Sequence, residues 1–278
     1  MSVTTHSFCY LCNYLLHIHR FWLMRKWEKD GLVFKTWTKE LTSEAELVAK
    51  KLMKYLMLEM AHLSLKFDNN RFDSFTPPYL YTERRLDSIL LPALSKLCNG
   101  LVLTEMPVTR VSYDENHQKK KSSGRVDYWC IYKDYTFVIE LKQSYDCYRT
   151  SDYTRQKTIK PWDVMNEQLK KVKADCEALT EKTKGVIRLG IHILTAYTDL
   201  GADEDLIEEF NNNADFIQER LCKDLGDNRR KTKPNAAICW MIPESLILNN
   251  QQTFPGLWMI GKVYPLIYHK GSKDYYRE

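Results

Sequence analysis

Three ionisable residues on two short apolar runs define the chemistry open to this chain. Asp127 lies in Gly124-Arg125-Val126-Asp127-Tyr128-Trp129, and Glu140 and Lys142 lie in Phe137-Val138-Ile139-Glu140-Leu141-Lys142. In the second run Phe137, Ile139 and Leu141 alternate with Val138, Glu140 and Lys142. That is the period of a strand, so Glu140 and Lys142 share one face. A carboxylate and an ammonium on a strand this apolar are costly to bury without a purpose. An Asp on the adjoining strand completes a set of hard oxygens for a cation, with Lys142 close enough to position a water. The competing reading is an exposed hairpin whose three charges form surface ion pairs.

The elements that must hold these residues follow from periodicity. Residues 8–27 are apolar and aromatic and read as a buried helix. Asp30-Gly31 marks a turn, and residues 32–38 read as a short strand. Ser43 with Glu46 three positions on is a capping-box pattern. It opens a long helix to about residue 65, with Val48, Leu52, Tyr55, Leu56 and Leu63 facing inward. From Thr76-Pro77-Pro78 a second helix carries Leu86, Ile89, Leu90, Ala93, Leu94 and Leu97, with a kink or restart expected at Pro92 and a stop at Asn99-Gly100. Residues 101–111 read as a strand, 114–123 as a polar loop, and 125–132 and 135–142 as strands joined by Lys133-Asp134. A helix starts at Pro161 on the stripe Trp162, Met165, Leu169, Val172, Cys176 and Leu179. Residues 186–195 form a central strand, 203–225 a helix, 235–242 a strand, and 257–268 a last strand or hairpin. The expected architecture is α/β, a mixed sheet flanked by helices, with an N-terminal helical extension over residues 1–70 and the main domain over 76–278.

That order of elements, with twelve residues separating Asp127 from a Glu-Leu-Lys on the next strand, resembles the PD-(D/E)XK nuclease superfamily and its restriction-endonuclease-like fold. The resemblance covers roughly residues 76–242, and Val126 stands where the named pattern has Pro. It implies a Mg²⁺- or Mn²⁺-dependent hydrolase of phosphodiester bonds, an endonuclease-type fold with DNA as the expected substrate. Asp127, Glu140 and Lys142 match the motif. Glu83 matches the Glu that many members carry on the first core helix, and would hold a second metal ion or a metal-bound water. Gln168 matches a Gln on the helix after the motif strand. In such an enzyme Lys119, Lys120, Lys121, Arg125, Lys170, Lys171 and Lys173 would meet phosphates, and Tyr145, Tyr148 and Arg149 would clamp or stack on a strand. The rival is a catalytically inactive copy of the fold that binds nucleic acid or protein.

Composition sets wider limits. A net charge of +5 in 278 residues permits a polyanionic partner without demanding one. The eight Cys do not read as a disulfide framework, and Cys98, Cys130, Cys176 and Cys239 fall within apolar patterns as buried thiols do. The first twenty residues lack a basic leader region and no run of eighteen apolar residues occurs, so no membrane association is expected and a reducing, cytoplasmic setting fits. Cys9, Cys12, His17 and His19 invite a zinc reading, but lack the usual separation of ligand pairs. His192, on an apolar strand with Arg188, reads as a packed His. The aromatic N-terminal segment is expected to pack on the core, on a second copy of the chain or on a protein partner.

Overall fold

The computed structural model describes residues 23–38, 43–68, 78–80, 83–148, 154–172, 183–198, 204–226, 232–243 and 253–267. Eight strands form one mixed sheet: β1 (Leu23–Lys29), β2 (Leu32–Thr38), β3 (Val102–Tyr113), β4 (Lys119–Tyr132), β5 (Tyr135–Cys147), β6 (Val186–Thr198), β7 (Ala236–Met241) and β8 (Thr253–Val263). Their spatial order is β1-β2-β7-β8-β6-β5-β4-β3. The β5–β6 pair is parallel and the other neighbours are antiparallel. The helices are α1 (Glu44–Asp68), α2 (Glu83–Leu97), α3 (Gln156–Lys171) and α4 (Glu204–Gly226).

Alternation along the strands divides the core in two. On one face Phe137, Ile139, Leu141, Leu189 and Ile191 join Leu52, Leu56 and Met60 of α1 and Leu86, Ile89 and Leu90 of α2. On the other, Val138, Leu194, Ala237 and Trp258 join Trp162, Met165 and Leu169 of α3 and Phe210, Ala214 and Leu221 of α4. The sheet is covered on both sides, so its central strands read as nearly continuous apolar runs.

The N-terminal expectation needs correction. The residues from 23 on form strand rather than the end of a helix, and β2 pairs with β7, so 23–38 belong to the central sheet. Asp30 and Gly31 close the β1–β2 hairpin with φ of 54° and 76°, the left-handed pair of a type I′ turn. Trp27 stacks on Phe34 at 4.2 Å, while Arg25, Lys26, Glu28 and Lys29 carry the charge expected of an edge strand. Helix α1 is not a separate extension either: Leu52, Met53, Leu56, Met57 and Met60 are wholly buried in the shared core. The capping box is formed, with Glu46 N donating to Ser43 Oγ at 3.2 Å and Ser43 N to Glu46 Oε2 at 3.3 Å. Tyr55, expected inside, is exposed.

Four boundaries also move. Helix α2 runs unbroken through Pro92. Helix α3 begins at Gln156, not Pro161. Strand β4 starts at Lys119, so the lysines of 119–121 lie on a strand paired with residues 111–113 rather than in a loop. Strand β5 extends to Cys147 because its parallel partner β6 continues to pair with it, which places Tyr145 in the sheet. No helix of the described residues is long and apolar enough to cross a membrane.

Candidate active site

The site forms where the sheet forks. Strands β4 and β5 pair only from Tyr128↔Ile139 to Tyr132↔Tyr135. Beyond that point β4 continues with β3, and β5 with β6. Asp127 and Glu140 are the first residues past the fork. On the other side of Asp127, the β3–β4 register skips one pair between Thr104↔Tyr128 and Met106↔Val126, and Glu105 there has a φ of 51°. The Asp127 backbone is therefore irregular towards both neighbours. The break also lets Val126 and Trp129 pack on the same face although strict alternation would separate them.

A fork leaves backbone groups without ladder partners, and site side chains take them. Leu141 N donates to Asp127 Oδ2 at 2.6 Å, and Lys142 Nζ donates to Leu141 O at 2.7 Å. Lys142 Nζ also reaches Glu83 Oε1 at 2.9 Å, at the first turn of α2. One turn further along α2, Asp87 accepts a short hydrogen bond from the Tyr128 hydroxyl. Glu83 and Asp87 thus tie the same helix face to the fork.

Glu140 is 2% exposed, and its Oε1 lies 2.7 Å from Arg110 Nη2 on β3. The same Nη2 donates to Arg125 O at 2.6 Å. Burial, then the negative charge of Asp127, pushes the Glu140 carboxyl up to about 8, with Arg110 and Lys142 opposing and a hydrogen bond to Asp127 assisting. Burial opposes the charge on Lys142, but Glu83, Asp127 and Glu140 together hold its ammonium above the ordinary value. Lys142 therefore stays charged at neutral pH. It is suited to orienting a water or offsetting negative charge, not to accepting a proton.

The structure brings Asp127, Glu140, Lys142 and Glu83 together. Gln168 lies on α3, the helix packed against the sheet face that carries Glu140. Its neighbour Leu169 and Met165 pack over Gly190, the strand partner of Glu140, and its Oε1 is buried without an acceptor's partner. Arg125 is exposed and pairs with Glu105 at 3.7 Å; Lys120 pairs with Asp114 at 3.5 Å and Lys170 with Glu167 at 3.3 Å. Lys119, Lys121 and Lys171 are exposed. A bridge between Arg110 and Val172 sets the end of α3, with Lys170 and Lys171, beside the β3–β4 ribbon that carries Lys119, Lys120, Lys121 and Arg125. Tyr145 instead neighbours Gln143, which donates to Tyr79 O, on the strand face opposite Glu140. Tyr148 is buried against Phe210, which removes it from stacking on a strand. His192 is wholly buried, bonded to Ser144 Oγ at 2.7 Å, and pushed down to about 3 by burial and by Lys142. Cys9, Cys12, His17, His19, Arg149, Lys173, Cys176 and Leu179 lie outside the described residues.

Arg110 is the residue that sequence reasoning missed. Its signal is faint: an Arg on an edge strand, two residues after Val108, which is the strand partner of the Gly124 that opens the motif run. A Cβ at 124 would sit 2.6 Å from Arg110 Nε, so glycine is what lets the guanidinium lie flat across the strand.

The donor set suits a hard divalent cation. Asp127 and Glu140 are in contact, and Glu140 has a high proton affinity of the kind such an ion displaces. As the side chains stand, no three His, Cys, Asp or Glu among the described residues are grouped to hold a metal, since Glu83 is drawn to Lys142 and Glu140 to Arg110. No family model matches this chain, and no curated protein matches it. Among solved structures, one titled "Crystal structure of SSO0001" aligns over 64% of this chain and 88% of its own, at 17% identity and a TM-score of 0.23, a likeness too slight to argue from.

Proposed function

We propose that this protein is a Mg²⁺- or Mn²⁺-dependent nuclease of the restriction-endonuclease-like fold, acting on DNA. The observation that carries the reading is the meeting, at one fork of the sheet, of two contacting carboxylates, a charged lysine and a third carboxylate from a helix start. Asp127 and Glu140 would hold the ion, with Glu83 as a third oxygen donor. The bound ion would supply Lewis-acid polarisation of the scissile phosphate. Lys142 orients the attacking water and offsets charge as it builds on the phosphate. Leu141 keeps Asp127 and Lys142 in register by engaging both through its backbone. Lys119, Lys120, Lys121, Arg125, Lys170 and Lys171 supply the exposed cations for the phosphate backbone, a contribution that weakens with salt.

A second reading has its own support. Each site charge already has a protein partner, and Asp127 and Lys142 satisfy backbone groups of the fork. A binding module of the same fold would retain those contacts for stability alone. Incubation with labelled single- and double-stranded DNA and RNA, in Mg²⁺, Mn²⁺, Ca²⁺ or chelator, separates the two. Cleavage in Mg²⁺ or Mn²⁺, none in chelator and binding alone in Ca²⁺ is the expected pattern. Binding without cleavage under every condition would favour the module.

A further inference from the structure

We propose that Arg110 is the resident counter-cation of the fork, holding Glu140 until a divalent cation takes the carboxylate from it. The proposal rests on the metal-dependent reading above and concerns how that site is loaded.

Glu140 is buried on a central strand, beside a second carboxylate. Once ionised, and without a positive neighbour, it would be an uncompensated charge in the core. Arg110 supplies that neighbour from β3, across the width of β4, with Nη2 on Glu140 Oε1 at 2.7 Å. The pairing uses one nitrogen rather than the two-nitrogen fork that makes Arg–carboxylate pairs strong. Arg110 Nε is buried and has no acceptor. The pair is therefore incomplete by a full donor, and a guanidinium that leaves Glu140 forfeits only a single-nitrogen contact to it. A divalent cation on Asp127 and Glu140 would place two positive charges beside the guanidinium, and repulsion would move it off. Gly124 is what admits the paired position, because the Arg110 side chain rests where a Cβ would otherwise be.

The test is calorimetric titration of Mn²⁺ into the full chain without nucleic acid, at pH 9 to limit competition from the Glu140 proton. Arg110→Gln removes the competing charge and should tighten Mn²⁺ binding by about tenfold or more, the lower end for one unit charge beside a divalent ion. Arg110→Lys keeps the charge and should stay near wild type. Gly124→Ala leaves Arg110 in the chain but drives it off Glu140, and should tighten binding in the same direction; it decides the matter if Arg110→Gln does not fold. Mn²⁺ binding that is unchanged or weaker in Arg110→Gln and Gly124→Ala would overturn the role of Arg110 while leaving the metal site standing. No Mn²⁺ binding by wild type or any variant would remove the metal reading and this proposal with it.

Discussion

Lys142 Nζ and Glu83 Oε1 meet at 2.9 Å across 59 positions of sequence, joining the end of the motif on β5 to the first turn of α2. Neither end is placed by the other. Lys142 is positioned by strand alternation and the fork, and Glu83 by the start of a helix whose buried stripe packs on the opposite sheet face. The helix N-terminus favours the Glu83 carboxylate, and the carboxylate in turn holds Lys142 charged.

If these groups serve one transition state, Asp127→Asn and Lys142→Ala should each reduce single-turnover cleavage by about 10²-fold or more, and the double variant should be far from additive. DNA affinity at fixed salt should change much less, because it rests on the exposed cations. Lys142→Ala should also lose about 1–3 kcal/mol of stability, since it leaves the carbonyl of Leu141 without its donor. Cleavage at wild-type rates in both variants would place any activity elsewhere in the chain.

The motif strand and its partner were legible because a two-residue period is unambiguous when apolar residues fill one face. The joining turn was legible too: Lys133 and Asp134 adopt φ of 48° and 64°, as a two-residue hairpin requires. The fork was not. It depends on β5 losing its antiparallel neighbour β4 after Ile139 while its pairing with β6, a strand that follows some forty residues later, runs on, and no local pattern encodes where two ladders part. For the same reason Arg110 was invisible, since its meaning comes from Glu140 two strands away. The N-terminal misreading has a different cause. Residues 23–29 form an edge strand, and from Arg25 to Lys29 Trp27 packs on the core among four charged residues, so neither a helical nor a strand period stands out there.

Stability should respond to pH through Glu140. Its carboxyl sits at about 8 in the folded chain, against an ordinary 4.5. Between those values the folded protein keeps a proton that the unfolded chain has lost. The stabilisation is complete below about 4.5 and disappears as pH rises through about 8, in total on the order of a few kcal/mol. Glu140→Gln cannot release a proton, so it should gain stability relative to wild type as pH rises across that window. His192, which burial holds neutral, loses stability in the other direction as pH falls below 6.5, but it is common to both proteins and cancels. Urea unfolding of the two proteins in chelator at pH 5 and pH 8.5 checks this. A difference in midpoint that does not change with pH would mean that Glu140 is ionised throughout.

Removing residues 1–68 should destroy the fold rather than trim it. The deletion takes away β1, β2 and α1. Strand β7 loses its antiparallel partner over six residue pairs, Val33↔Met241 to Thr38↔Ala236, and becomes an apolar edge of the kind that pairs with other chains. At the same time five wholly buried side chains of α1, Leu52, Met53, Leu56, Met57 and Met60, leave the sheet face that they cover. At about 1.5–3 kcal/mol for each such side chain, that loss is comparable to the entire stability of a domain, about 5–15 kcal/mol. The core is open at Gly261, too, where Met53 Sδ and Cε lie 2.5 Å from the position of a Cβ, so the helix is seated on bare backbone. The expected outcome is a truncated chain that aggregates and shows no cooperative melt. A 69–278 fragment that stays monomeric in size-exclusion chromatography and unfolds in one sharp transition would show that the rest of the chain folds without β1, β2 and α1.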